Sequence, residues 1–305
     1  MDILKLFSLQ GTLFAMMLVG TWLKFRGIID ENGKRCLTDL CINVIIPCNI
    51  FKSCLIDFNM DIFRSCSLLL LSALLMQALC LLLNRRMFNY YPDRQKKVLQ
   101  YCTIVPISGF LGNPNAEGIY NEIGVLYTSI FLIPMRIVMW SVGTTYFVSD
   151  AVVDKKKVLK NILTHPCLVA IYLGLFFMVT QIPLPSVMTE TVRHIGNSNS
   201  AITMFIVGTI LADVNLPSIF TKDTILFSMF RLILLPCAVL GIGKFLGLDN
   251  VSLGISVLMT GMPAGATAAI FAARYNSDAP FATRCVVMST LLSMITLPVW
   301  CYLIQ

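Results

Sequence analysis

Two apolar stretches of the sequence are interrupted near their middles by proline and glycine, and these interruptions decide the fold. The first reads PISGFLGNPNAEG at residues 106–118, and the second reads TGMPAGAT at residues 260–267. Proline inside a helix removes a backbone hydrogen bond and clashes with the carbonyl group four residues back, while glycine lets the backbone open. In hydrocarbon, the freed backbone groups must be satisfied by protein or by a wet cavity. A single stretch of this kind is consistent with a packing kink, because proline and glycine are common in membrane helices, whereas two matched stretches predict helices that break at mid-membrane.

The composition of the chain indicates an integral membrane protein. Of its 305 residues, 57% are hydrophobic and only 13% are charged, and the mean hydropathy is +0.79. A soluble domain carries about 25% charged residues, and a spanning helix needs roughly 20 mainly apolar ones. We expect ten spans, at residues 4–23, 37–55, 62–83, 98–120, 124–148, 161–180, 188–211, 223–243, 251–273 and 281–304.

Lysine and arginine concentrate in alternate connections between these spans. Fifteen lie in the odd-numbered connections, whereas the opposite side has only Lys5 and Lys244. The positive-inside rule then places the odd-numbered connections in the cytoplasm. The chain is accordingly predicted to be a multi-pass protein of the cell membrane with both termini extracytoplasmic. The net charge of +7 is thus a topology signal, and no nucleic-acid partner is expected.

The charged connection at 150–160 divides the chain into two halves of five spans each. We predict an all-α membrane protein with a first repeat at 1–149, a cytoplasmic linker at 150–160 and a second repeat at 161–305. A duplicated five-span unit must insert upside down the second time, which is the geometry of inverted-repeat transporters. Both interruptions fall in the fourth span of their half, so spans four and nine are predicted to be broken, crossing helices. The N-terminal ends of half-helices present N–H groups and partial positive charge, which suits a carboxylate.

Short motifs around the interruptions resemble those of a known transporter family. These are GFLGNP at 109–114, MPAG at 262–265, IFAARY at 270–275, STLLS at 289–293 and NVIIP at 43–47. They resemble the auxin efflux carrier family, which includes bacterial permeases and plant PIN-type carriers. The resemblance implies a secondary transporter of carboxylates such as auxin or malate, working by an elevator-type shift of one domain against a scaffold. A homodimer is implied by the resemblance alone.

The predicted substrate site combines residues of both interruptions with two polar residues elsewhere. Side-chain amides can donate to a carboxylate without carrying charge. The family often has an asparagine just before its GFLG segment, and this chain has Ile107 there. Either a neighbouring side chain supplies the lost hydrogen bond, or the substrate or transport itself has changed. The candidates for substrate binding are Ser108, Asn113, Pro114, Asn115, Pro263, Gly265, Asn197 and Arg136.

Charged residues inside predicted spans are the next candidates, because charge there is costly and usually functional. Glu117 follows Pro114 by three residues, in the first turn of a half-helix whose N-terminus stabilises a carboxylate. It either takes up a proton coupled to transport or is a structural acid paired with a basic residue. Arg136 is expected to draw the anion or to pair with Glu117. Arg231 is a second candidate counter-ion, with a structural ion pair or a place near the membrane interface as the alternative.

Other functional classes fit the sequence less well. An intramembrane enzyme needs a nucleophile with a base, a metal cluster or paired carboxylates. The sequence has no HExxH or GxSxG motif, and its only histidines are His165 and His194. No catalytic residue, metal or cofactor is therefore expected, and the expected partners are a small organic anion and the lipid bilayer. A sensor or degenerate carrier without transport, and a cation-coupled symporter of related fold, remain as alternatives.

Overall fold

A computed structural model describes residues 3–56, 59–147, 160, 163–212, 219–275 and 277–304. Every named element in these ranges is helical, which confirms the all-α prediction. The predicted linker at 150–160 lies outside the described residues except for Lys160.

The helices are numbered here in chain order, and five-residue segments of wider, π-type helix occur at Cys41–Ile45, Ser108–Gly112, Met139–Gly143 and Phe230–Leu234. The α-helices are α1 (Ile3–Phe25), α2 (Glu31–Leu40), α3 (Ile46–Ser53), α4 (Met60–Asn84), α5 (Asp93–Ile104), α6 (Asn113–Val138), α7 (Thr144–Phe147), α8 (Pro166–Thr180), α9 (Ser186–Asn197), α10 (Asn199–Ala212), α11 (Lys222–Met229), α12 (Leu235–Phe245), α13 (Asn250–Thr260), α14 (Thr267–Arg274) and α15 (Ala279–Ile304).

Several helical segments are long and apolar enough to cross a bilayer. This confirms a multi-pass helical membrane protein, while the count of ten spans stays a prediction. Shorter apolar helices, α8 and α13, fall on predicted spans six and nine. Among the described residues, six segments meet the length and hydropathy expected of a span: Glu31–Ser53, Met60–Asn84, Ser108–Val138, Ser186–Ala212, Lys222–Phe245 and Ala279–Ile304.

Helix α6 contains a sharp reversal at a single residue. Asn121 has φ 55° and ψ −145°, which is not helical backbone, and it divides α6 into segments 113–120 and 122–138. The two segments pack closely, because a Cβ on Gly124 would lie 2.3 Å from the carbonyl oxygen of Ala116. Predicted spans four and five are therefore separated by one residue rather than by a loop.

The chain forms two compact units. The first consists of Met1–Ser67, Gly109–Ile130 and Leu163–Asp213, and the second consists of Leu68–Ser108, Phe131–Ile162 and Val214–Gln305. Helices α4 and α6 each contribute residues to both units.

In the first unit, α1 and α10 pack with their backbones in direct contact. A Cβ on Gly20 would lie 2.3 Å from the carbonyl oxygen of Phe205, and a Cβ on Gly208 would lie 2.0 Å from that of Met17. The hydroxyl of Thr21 donates to the carbonyl oxygen of Gly208 at 2.8 Å. Small residues permit this close approach, which is a main source of helix association in membranes.

In the second unit, aromatic side chains join α5 to α14. The Tyr101 and Phe271 ring centroids lie 5.4 Å apart, as do those of Tyr101 and Phe147. The hydroxyl of Tyr101 also donates to Oγ1 of Thr267 at 2.9 Å. These contacts fix the start of α14 against α5, which matters because both helices end or begin at an interruption.

Replacement of Gly20 by alanine is expected to destabilise the first unit by about 1–3 kcal/mol, because the added methyl group overlaps the backbone of α10. Gly11 is a matched control on the same helix, since a Cβ there meets nothing within 4 Å. Thermal unfolding of the purified protein in detergent measures both variants. Equal melting temperatures for Gly20→Ala and Gly11→Ala would contradict the backbone contact.

Candidate functional site

The first interruption follows from the proline at position 106. Helix α5 ends at Ile104, and helical backbone resumes at Ser108. Val105 is extended, with φ −120° and ψ 96°, as expected for a residue whose helical conformation would clash with a following proline ring. Residues 105–107 therefore leave the helical conformation altogether, instead of forming a kink within a continuous helix.

The second interruption lies between the end of α13 at Thr260 and the start of α14 at Thr267. Its central proline, Pro263, has no N–H group to continue a helix. The carbonyl oxygen of Pro263 instead accepts a hydrogen bond of 2.9 Å from the backbone N–H of Ile107. The two interruptions are thus joined through their backbones.

This joining is a short antiparallel pairing within the second unit. Pro106 and Ala264 face each other across the bridge, and the N–H of Gly265 donates to the carbonyl oxygen of Val105 at 2.9 Å. A Cβ on Gly265 would lie only 2.9 Å from that same oxygen. Glycine at 265 is therefore required by the approach of the two chains.

Side-chain hydroxyls satisfy further backbone groups of the interruptions. Oγ of Ser289 accepts from the N–H of Ala264 at 3.1 Å, and it donates to its own helix at Cys285. The buried Ser108 hydroxyl donates to the carbonyl oxygen of Met259 at 3.2 Å. Both hydroxyls therefore hold the backbone of the interruptions in place.

Arg231, on the helical segment between α11 and α12, also binds to the interruptions. Its side chain is 2% exposed. Nε donates to the carbonyl oxygen of Met262 at 3.1 Å, and Nη1 donates to that of Thr103 at 2.5 Å. Its partners among the described residues are thus carbonyl groups, whereas the sequence suggested a counter-ion role.

The first unit holds a separate cluster of charged and polar side chains around Lys52. Lys52 is 8% exposed, and its Nζ lies 2.8 Å from Oε1 of Glu117 and 3.2 Å from Oε1 of Glu122. It also donates to Oδ1 of Asn197 at 3.0 Å. Nδ2 of Asn49 donates to the other oxygen of Glu117 at 3.3 Å. The structural interpretation of Glu117, as an acid paired with a base, therefore has a definite partner.

Asparagines of the first unit differ in how far their amides are satisfied. Asn115 donates to the carbonyl oxygen of Leu111 at 2.7 Å and accepts from Gln10. Asn113 and Asn199 are fully buried, and neither amide atom of either residue has a partner among the described residues. Because buried polar groups are normally hydrogen-bonded, these two amides have bonding capacity left for a ligand.

The predicted site residues are divided between the two units. Glu117 lies with Lys52, a residue that the sequence analysis missed although a lysine inside predicted span 37–55 is itself a signal. Arg136 is buried, with Nη1 lacking a partner in the described part of the chain. No three histidine, cysteine, aspartate or glutamate side chains converge as metal ligands within the described ranges. The first unit contains Asn113, Pro114, Asn115, Glu117 and Asn197, and the second contains Ser108, Arg136, Pro263 and Gly265.

Comparison with known proteins identifies the family. A family model described as Membrane transport protein matches residues 11–301. The chain belongs to this family, the auxin efflux carriers. The resemblance noted in the motifs is thereby confirmed, and the protein is a membrane transporter.

Relatives of this transporter are similar over nearly their whole lengths. An uncharacterized transporter of Methanothermobacter thermautotrophicus is 25% identical over 303 residues, which is 95% of each chain. The uncharacterized transporter YfdV of Escherichia coli K12 is 24% identical over 95% of each chain. A third, from Methanocaldococcus jannaschii, is 20% identical over 93% of this chain and 94% of its own.

Replacement of Lys52 by methionine is expected to destabilise the transporter by about 3 kcal/mol, because it leaves Glu117 and Glu122 without their buried cation. Arg193→Gln is the control, since it removes an exposed pair of 2.7 Å with Glu190 that contributes about 1 kcal/mol or less. Thermal unfolding in detergent compares the two. A Lys52→Met protein as stable as Arg193→Gln would show that the cluster is not a stabilising element.

Proposed function

We propose that this transporter moves small organic anions, namely carboxylates, by elevator-type alternating access, with the substrate bound at the crossing of the two interrupted helices. The observation that carries the proposal is the backbone pairing of Val105–Ile107 with Pro263–Gly265. These segments come from equivalent positions of the two predicted repeats. Paired, open backbone of this kind is tolerated at membrane depth where it lines a protein-enclosed or wet site.

The charge around the pairing favours an anion. Helix α14 begins at Thr267, two residues after the paired segment, and its N-terminal N–H groups carry partial positive charge. The charged side chains buried in the second unit are Arg136 and Arg231, and no acidic side chain is buried in the described part of that unit. A carboxylate would balance this excess of positive charge.

Hydrogen bonds at one end of the second unit support the proposed topology. The Tyr91 hydroxyl donates to Asp223 at 3.2 Å, and the Ser277 hydroxyl donates to the carbonyl oxygen of Arg94 at 2.8 Å. The third and ninth predicted connections therefore meet beside the start of predicted span eight. Ten spans with both termini outside place all odd-numbered, basic connections on the cytoplasmic side. Contact between two such connections agrees with that topology.

The function is tested by transport currents from purified protein in liposomes on a solid support, with a panel of mono- and dicarboxylates. Pro263→Ala is expected to lower the saturable current by about tenfold or more, because alanine lets helix α13 continue through the interruption. Pro298→Ala is the matched control, since Pro298 is a buried proline inside uninterrupted helix α15. Currents equally reduced in both variants would argue against a special role for the interruption.

If no current is observed, uptake of radiolabelled acids distinguishes two explanations. Uptake of radiolabelled acids without current would identify electroneutral exchange. Absence of both signals would oppose the transport proposal and favour the sensor or degenerate carrier. In that case Ile107→Asn is the variant to measure, because it restores the amide that the family often has at this position.

A second proposal concerns the coupling ion. The Glu117 carboxylate is partly exposed at 24%, although it is paired with buried Lys52, so it is not sealed inside the protein. We propose that protonation of Glu117 couples transport to the proton gradient. The pairing also explains how the charged form of Glu117 is held in a membrane helix.

Glu117→Gln is expected to keep substrate exchange but to lose accumulation driven by a pH gradient, because glutamine cannot release a proton. Glu122→Gln is the matched control, since Glu122 pairs with the same lysine and is 43% exposed. Counterflow and pH-driven uptake are measured for both variants. Unchanged pH dependence in Glu117→Gln would rule out coupling through this residue.

A further inference from the structure

We propose that Arg231 is a positioning residue that locks the two interruptions into a single body, so that they move together when the transporter works. The part concerning movement rests on the proposed function. The locking itself is a property of the second unit and can be tested without any transport assay.

The guanidinium of Arg231 bonds to both interrupted helices at once. Thr103, whose carbonyl oxygen accepts from Nη1, belongs to the last turn of α5. Met262, whose carbonyl oxygen accepts from Nε, lies just after the end of α13. Arg231 therefore connects sequence segments from the two predicted repeats through a third helix.

The Arg231 cation lies where helix ends carry partial negative charge. The last carbonyl groups of a helix lack intrahelical partners, and the C-terminus carries partial negative charge. Two helices, α5 and α13, end next to each other at the interruptions. A planar guanidinium has several fixed N–H donors and can serve both ends. Arg231 thus bonds to a C-terminal carbonyl of α5 and to the carbonyl of Met262, two residues beyond the end of α13, and leaves the positive N-terminus of α14 to act on an anion.

The charge of Arg231 makes the link difficult to break. Within the described residues it has no acidic partner at ion-pair distance, so the carbonyl dipoles are its main compensation. If either helix end moved away alone, a buried guanidinium would be left with part of that compensation missing. Unpaired charge in a low-dielectric interior is strongly unfavourable, so the two ends are held to one another.

The cavity beside Arg231 separates this role from direct substrate binding. The cavity has a volume of about 20 Å³ and is lined by Arg231, Thr103, Pro106 and Thr260, among others. A water molecule needs roughly 10–15 Å³ of such volume, so the cavity as it stands has room for about one water molecule. Arg231 therefore acts on the substrate site through the backbone that it holds.

Hydrogen–deuterium exchange of the full-length protein in nanodiscs tests the lock. The amides of Ile107 and Gly265 are the reporters, because their hydrogen bonds form the pairing. Arg231→Met is expected to raise exchange about tenfold or more in both segments, 103–108 and 260–266, with little change in α10 of the first unit. Ser228→Ala is the control, since it removes a buried hydroxyl bonded only within the same helix, to Thr224.

Arg231→Lys covers the case in which the methionine variant does not fold. Lysine keeps the charge but lacks the planar fork, so both segments are expected to exchange faster than in the wild type and by similar factors. Exchange that rises in one segment only, or in neither, would overturn the proposal. So would an equal rise in Ser228→Ala.

Transport kinetics give a second readout if the wild type transports. Arg231→Lys is expected to lower the maximal rate by about tenfold while KM changes by less than about threefold, because the residue does not touch the substrate. A large rise in KM with unchanged exchange would overturn the positioning role in favour of direct binding. If the wild type shows no transport, the proposed function fails, and the exchange data still decide the lock.

Discussion

Unsatisfied backbone groups in hydrocarbon are the constraint on which the rest of the structure depends. A membrane helix that stops at mid-depth leaves N–H and carbonyl groups that lipid cannot bond. The two interruptions bond to each other through the hydrogen bonds from Ile107 to Pro263 and from Gly265 to Val105, so these groups are satisfied at whatever depth the segments lie. Each interruption supplies one N–H donor and one carbonyl acceptor to the other, so these groups are not satisfied without the partner segment. The residues that surround the pairing follow from that requirement: Gly265, the prolines Pro106 and Pro263, and the serines Ser108 and Ser289.

The two units compensate buried positive charge by different means. Lys52 in the first unit is paired with two carboxylates, which are themselves partly exposed. Arg231 in the second unit is compensated by carbonyl dipoles, which have no titratable group. Under the proposed function, proton coupling is assigned to the cluster at Lys52, and the fixed backbone of the binding site is assigned to Arg231.

Sequence reasoning predicted the features that depend on local chemistry. Apolar composition predicted the helical membrane protein, and proline and glycine at 106–114 and 261–265 follow the ends of helices α5 and α13. Broken helices that cross at mid-membrane stay a prediction. Sequence reasoning missed Lys52, because its partner Glu117 is 65 residues away in the chain and the pairing depends on how helices pack. It also treated Arg231 as a counter-ion, because a sequence identifies charged partners more readily than carbonyl groups exposed by a helix end.

The reversal at Asn121 has a consequence for how this segment can vary. Glu117 and Glu122 lie on either side of it, and the turn brings both carboxylates to one lysine. A helix that continued through 121 would direct the two side chains to different sides, because residues five apart do not share a helix face. The number of residues between Glu117 and Glu122 is therefore fixed by the backbone turn at Asn121. Insertion or deletion of a single residue at 118–120 would separate one acid from its cation.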